Sequence, residues 1–276
     1  MSLRLQVALA RAGFGSRRAC EQLIREGVVG VNGGIVKTLG TKVDEDDCVT
    51  VRGKAIRGPQ ALRYLLLNKP REVVSTVSDP EGRRTVLDFV TSARERLYPV
   101  GRLDYHSEGL ILLTNDGELA DILLHPRHAV PRIYLARVRG QLAPEDIALL
   151  ARGLRLAGKP TGPILVRPIR KQGATSEKSH WVQVTVTEGR YHLVREALLR
   201  VGHPVSRLRR VAFGPLKLGR LVPGAVRELS PGEVAALRSA GTSPVPRPGP
   251  VRAPHAAPGR ARGGAAPRRQ RARPSS

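Results

Sequence analysis

The apolar positions of this chain fall into short runs whose period changes from segment to segment. Leu5, Ala8, Leu9 and Ala12 recur at helical spacing and stop at Gly13, which predicts a first helix. Ser16 is placed to cap a second helix that buries Ala19, Cys20, Leu23 and Ile24 and ends at Gly27. Residues 28–31, the Asn32-Gly33 pair and the apolar Ile35 and Val36 read as a hairpin. A further strand, residues 48–51, follows the acidic turn 44–47. Residues 1–57 thus form a compact helix–helix–hairpin unit, and Arg57-Gly58-Pro59 makes a short linker.

Beyond the linker, residues 62–238 mix apolar runs with amphipathic ones. Strands are expected at 64–67, 110–113, 133–138 and 182–186, and helices at 118–124, 144–153 and 193–201. The two kinds do not alternate regularly, so the expected class is α+β on a mostly antiparallel mixed sheet rather than a doubly wound fold. From residue 242 to 276 the chain is proline, arginine, alanine and glycine without periodicity. Such a composition cannot bury enough apolar surface to fold and reads as a disordered basic tail.

Charge narrows the partner. The formal net charge is +24, and removing the eight arginines of the acid-free tail still leaves +16 on residues 1–240. A field of that size calls for a polyanion. No apolar run approaches the roughly 20 residues needed to span a bilayer, and the N-terminus has no signal-peptide core. Two cysteines, Cys20 and Cys48, make no disulfide framework and lack metal-ligand spacing. No metal or cofactor is expected, and a cytoplasmic protein handling nucleic acid is the default. Arg17 and Arg18 fall in the first turn of the second helix, where the macrodipole disfavours cations. A phosphate approaching that helix start would meet both arginines and free backbone N–H groups.

There is no P-loop, dinucleotide fingerprint or nucleophile elbow. Three islands instead gather glycine with arginine and an acid or aromatic: NKPREVVSTVSDPEGRRTV (68–86), GRLDYHSEGLILLTNDG (101–117) and TEGRYHLVR (187–195). Taken singly, each has a bland reading. Asp104 could cap a turn, Tyr134 could pack one face of a strand, and Arg195 could be a surface charge.

Two resemblances bind these parts together. Leu5 to Leu9, Gly13 to Arg18, Leu23-Ile24 and Gly27 through Val31-Asn32-Gly33 resemble the RNA-binding module named for ribosomal small-subunit protein four. That resemblance implies docking on structured RNA without catalysis. The islands, with His125-Pro126, Arg132 and Tyr134, and Leu208-Arg209-Arg210 before Gly214, resemble the ribosomal RNA pseudouridine synthases, in the branch that joins type A of the small subunit with type B of the large. This second resemblance implies Asp104 as the catalytic carboxylate, Arg195 as its cationic partner and Tyr134 against the flipped base. It implies Arg102 as a phosphate or backbone anchor; Arg83, Arg132 and Arg190, and on the first unit Arg11, Arg17 and Arg18, are expected as further RNA contacts. It implies a monomer acting on ribosomal RNA, large-subunit RNA first and small-subunit RNA as runner-up, the latter because Arg190-Tyr191-His192 is similar to the small-subunit type. The chain departs from the family at Glu196, where a second arginine is usual, at Arg132, where a lysine is common, and at Tyr105-His106-Ser107 after the aspartate. Two other classes stay open on the sequence. One is a non-catalytic ribosome-assembly factor, which would have no need of the Asp104, Tyr134 and Arg195 set. The other is a DNA-binding protein using its helix pair in a groove.

Overall fold

A computed structural model describes residues 2–91, 93–169 and 179–240. The expected tail lies outside the described residues. The N-terminal unit begins with helices α1 (Leu5–Arg11) and α2 (Arg17–Arg25). Ser16 caps α2, its Oγ accepting from the Ala19 backbone N–H. The hairpin strands β1 (Val29–Val31) and β2 (Gly34–Ile35) turn at Asn32 and Gly33, both with positive φ, and β1 also pairs with β3 (Val49–Val51). Leu5, Leu9, Cys20, Ile24, Val29, Val43, Val49 and Val51 form a core of their own. Ala19, expected in that core, is exposed instead: it stands in the first turn of α2, and Cys20 and Ile24 are that helix's buried residues.

The second unit is built on one nine-stranded sheet among the described residues. Its main strands are β4 (Tyr64–Lys69), β5 (Glu108–Thr114), β6 (Arg132–Arg139), β7 (Leu165–Ile169), β8 (Ser179–Val186), β9 (Val205–Phe213) and β10 (Val226–Glu228). Their order across the sheet is β7-β8-β6-β9-β5-β4-β10. Neighbours on this path are antiparallel except β9 and β5, which meet in parallel at Arg209–Glu108 and Arg210–Gly109. The sheet is therefore mixed and mostly antiparallel.

Successive side chains of a strand face opposite sides of the sheet, and here both sides are covered. Leu65, Leu67, Ile111 and Leu113 point into one core with Ala136, Val138, Val182 and Val184. Helices α4 (Pro144–Arg152) and α5 (Leu193–Arg200) supply Leu150, Ala197 and Leu198 to it. Leu66, Leu110 and Leu112 point the other way, against Leu119 and Leu123 of α3 (Gly117–Leu124), Phe213, and Leu237 of α6 (Pro231–Ser239). Burial on both faces is why β5 reads as an unbroken apolar run instead of an alternating one. The two units touch. The Gln60 N–H donates to the Arg11 carbonyl at 2.8 Å, and Arg11 is ion-paired with Glu118 at the start of α3.

Candidate active site

The parallel pair β5–β9 fixes where the polar loop 101–107 emerges. Gly109 has φ +111°, and a Cβ there would stand 2.2 Å from the Arg210 carbonyl oxygen. Only glycine allows the two backbones to approach this closely. Ahead of it, the loop is tied down by groups from residues 69–75. Ser75 Oγ accepts from the Leu103 N–H at 3.1 Å and donates to the Leu103 carbonyl at 2.8 Å. The Glu72 N–H donates to Tyr105 O at 2.8 Å. The Lys69 ammonium, at 0 % exposure, donates to Ser107 O at 2.8 Å and Pro70 O at 3.0 Å, and reaches Tyr105 O at 3.5 Å. Burial lowers the Lys69 ammonium to about 8; Asp104 and Glu108 oppose the fall and Arg210 adds to it.

This scaffold presents Asp104 to a cavity of about 430 Å³, within the range of small-ligand sites. The carboxylate is held on both oxygens. Oδ2 lies 3.6 Å from Arg195 Nε and accepts from Ser107 Oγ at 3.2 Å, while Oδ1 lies 3.5 Å from His192 Nε2. Arg195 Nη2 in turn donates to Ser107 Oγ at 3.2 Å, so guanidinium, hydroxyl and carboxylate form a closed relay. Arg195 comes from the first turn of α5, and Nη1 is steadied by the Val205 carbonyl at 3.2 Å. His192 caps that helix in the left-handed region, φ 52° and ψ 15°. A non-glycine residue there stores strain on the order of 1–2 kcal/mol. Its ring stacks on Tyr191 with centroids 3.8 Å apart.

Tyr134, from β6, lines the cavity and is 8 % exposed. Arg102 is exposed at the cavity rim, its guanidinium carbon 5.8 Å from the Tyr191 ring centre. Of the other arginines singled out from the sequence, Arg132 and Arg190 also line the cavity. Arg132 is 4 % exposed and donates to the carbonyls of Val130, Thr187 and Leu123; burial lowers its pKa. Arg190 binds the Pro160 and Leu156 carbonyls, both at 2.9 Å. Arg83 forks onto Asp79 within its own loop at 3.0 and 2.8 Å. These three guanidinium groups therefore serve the fold's own acceptors. Arg17 and Arg18 lie exposed on the first turn of α2, and Arg11 is engaged with Glu118. Among the described residues no cluster of three or more metal-ligating side chains occurs, and no helix is long and apolar enough to cross a membrane.

A carboxylate fixed beside a cation at a cavity can act as a nucleophile or as a base. Comparison with known proteins says which chemistry this fold performs. The RNA pseudouridylate synthase family model matches residues 63–200, and the S4 domain model matches residues 3–49. An uncharacterized RNA pseudouridine synthase of Aquifex aeolicus is 44% identical over 90% of this chain and 98% of its own length. The chain belongs to the RNA pseudouridine synthases. The ribosomal large subunit pseudouridine synthase B of Bacillus subtilis is 41% identical over 86% of this chain and 96% of its own. A crystal structure of a pseudouridylate synthase superposes with a TM-score of 0.60 at 28% identity, over 85% of this chain and 99% of that one.

This pseudouridine synthase is thus an isomerase with an N-terminal S4 domain. Sequence reasoning did not single out Ser107, His192, Lys69 or Arg210 as site residues, although all four lie in segments it quoted. The available signal for His192 was its place immediately before an amphipathic helix, opposite a loop carboxylate. For Lys69 it was a cation extending an otherwise apolar strand.

Proposed function

We propose that this pseudouridine synthase isomerises one uridine of large-subunit ribosomal RNA, with Asp104 acting at the ribose. The observation that carries the reading is the Asp104 carboxylate, held at the cavity by Arg195, Ser107 and His192. In the reaction the N1–C1′ bond breaks and its electron pair leaves with the uracil. Asp104 either forms a bond to C1′ or takes the C2′ proton. The base then turns and C5 bonds to C1′ as the Asp104–C1′ bond breaks or the proton returns to C2′, and C5 loses its proton while N1 gains one. Either route needs the acid ionised. Arg195, its Nε 3.6 Å from the carboxylate, is the cation that faces it. Tyr134 offers its ring to the flipped base. Stacking of about 1–3 kcal/mol offsets much of the few kcal/mol that extraction costs.

Arg102 at the rim is the nearest candidate for the flanking phosphate. In this reading Arg17 and Arg18 on the S4 domain dock structured RNA, and the enzyme acts as a cytoplasmic monomer on free ribosomal RNA or a pre-ribosomal particle. The large-subunit target is supported by the names of relatives from Bacillus subtilis and Pseudomonas aeruginosa, at 41% and 42% identity. The experiment is to map pseudouridines in both ribosomal RNAs from cells with and without the gene. One large-subunit site should vanish on deletion and return with the wild-type gene. Loss of a small-subunit site alone overturns the target, and no lost site in either RNA overturns the reading.

A further inference from the structure

The cavity that Asp104 lines holds a further cation that the reading above does not use. Arg210 is 2 % exposed and lines the cavity. Its Nε donates to the Leu110 carbonyl at 2.8 Å, and its guanidinium carbon sits 5.1 Å from the Phe213 ring centre. Its Nη2 is buried and donates to no atom among the described residues. A buried donor on a charged group left without an acceptor is costly, and native structures seldom keep one without a reason. On the antiparallel pair β6–β9, Arg210 stands directly across from Tyr134, and residues directly opposite share a face of the sheet. The Arg210 side chain therefore leaves the sheet on the same face as Tyr134, and both residues line the cavity. The guanidinium is held by the Leu110 carbonyl and the Phe213 ring. The surrounding charge is lopsided as well: Lys69 and Arg132 are also buried nearby, and their proximity to Arg210 is felt by both.

We propose that Arg210 is a catalytic residue, its free Nη2–H donating to the uracil carbonyl that gains charge as the N1–C1′ bond breaks. The inference rests on Asp104 being the site of uridine isomerisation. The base is neutral in the bound substrate. When the bond breaks, its electron pair passes into the ring and spreads over N1, O2 and O4, while the Asp104 carboxylate bonds to C1′ or takes the C2′ proton. When C5 bonds to C1′ the base is neutral again, and it stays so as C5 loses its proton and N1 gains one. A fixed donor in a dry wall acts most strongly on the state in between. A phosphate could also use this N–H, but it carries its charge before, during and after the reaction, so it would register in affinity rather than in rate.

The test compares Arg210→Gln with wild type on a ribosomal RNA fragment carrying uridine, and on the same fragment with 5-fluorouridine at the target. Fluorine draws electrons, so the departing base is intrinsically a stabler anion and needs Arg210 less. Single-turnover disappearance of the target nucleotide is read together with RNA affinity and thermal unfolding. On uridine the rate should fall by roughly 10²–10³, as for loss of one preorganised donor, with affinity little changed. On 5-fluorouridine the fall should be smaller by about tenfold or more. Equal falls on the two bases, no fall, or a loss confined to affinity each overturn the proposal. If Arg210→Gln does not fold, the same ratio is read from Arg210→Lys, which keeps the charge but not the fork. Wild-type protein that consumes neither nucleotide instead defeats the uridine reading itself, so the two failures are distinguishable.

Discussion

Replacing Lys69 with methionine tests the physical basis of the loop that carries Asp104. The ammonium is fully buried and its pKa is lowered from 10.5 to about 8 by burial. The unfolded chain therefore binds this proton more tightly than the folded one. Between about pH 8 and 10.5 the unfolded state holds more protons, and stability rises with pH. A fall of this size makes the charged lysine unfavourable by about 3 kcal/mol at neutral pH, of which about 2 kcal/mol is recovered by about pH 9.5. Lys69→Met removes that penalty but also strips a donor from the carbonyls of Ser107, Pro70 and Tyr105, at about 1 kcal/mol each. The two effects nearly cancel near neutrality, so the informative quantity is the slope. Urea unfolding followed by the fluorescence of Trp181, the single tryptophan, should show wild type gaining about 2 kcal/mol on the variant from about pH 7 to about pH 9.5. Cys20, Tyr64 and Tyr98, whose pKa values burial raises, titrate in both proteins and drop out of the difference. A difference that stays flat or shrinks as pH rises refutes the argument that burial, and not the carbonyls, governs this lysine. Turnover should also fall by about tenfold or more, because the loop holding Asp104 loses its anchor and small misplacements are expensive.

Asp104→Asn should fold and bind RNA near normally yet release no tritium from C5-labelled uridine in ribosomal RNA fragments, since the amide neither attacks C1′ nor takes a proton; wild-type-like release would refute the role of this residue. Gly109→Ala should cost about 3 kcal/mol or more by thermal or urea unfolding, because the added methyl meets the Arg210 carbonyl oxygen at 2.2 Å and positive φ adds strain; a variant within about 1 kcal/mol of wild type would show that the β5–β9 pairing yields easily.

Much of this architecture was legible because hydrophobic period survives in most elements. Strands expected at 64–67, 110–113 and 133–138 appear as β4, β5 and β6, each extended by one or two residues at one or both ends. Helix α2 begins after its serine cap as the capping rule requires. Strand β9 was missed. Its sequence, VSRLRRVAF, puts Arg210 at an inward position between Leu208 and Ala212, and a charge there hides the alternation that marks a half-buried strand. Strand β10 is three residues long and edge-placed, too short for a period to show. At the site, the motifs drew attention to Asp104, Tyr134 and Arg195. They could not show that Arg132, Arg190 and Arg83 are taken up by carbonyls and a neighbouring aspartate. An arginine within the fold and one awaiting phosphate look alike until the acceptors are located. Nor could they show His192, whose reach to Asp104 depends on one left-handed backbone conformation.

The position of β9 has a consequence for when the enzyme comes into being. It lies between β6 and β5 and joins two half-sheets, one ending in β6 and the other beginning with β5. Asp104 hangs from the second half, Tyr134 belongs to the first, and the strand that unites them is synthesised about a hundred residues after β5, as the Arg210–Gly109 pairing shows. Contacts of such sequence separation form late, since a long loop must close before they reward the chain. A nascent chain that has emerged only through α5 carries every residue of the Asp104 relay but has no strand on which to close the cavity. The cavity can therefore close only once the chain has been made past Phe213.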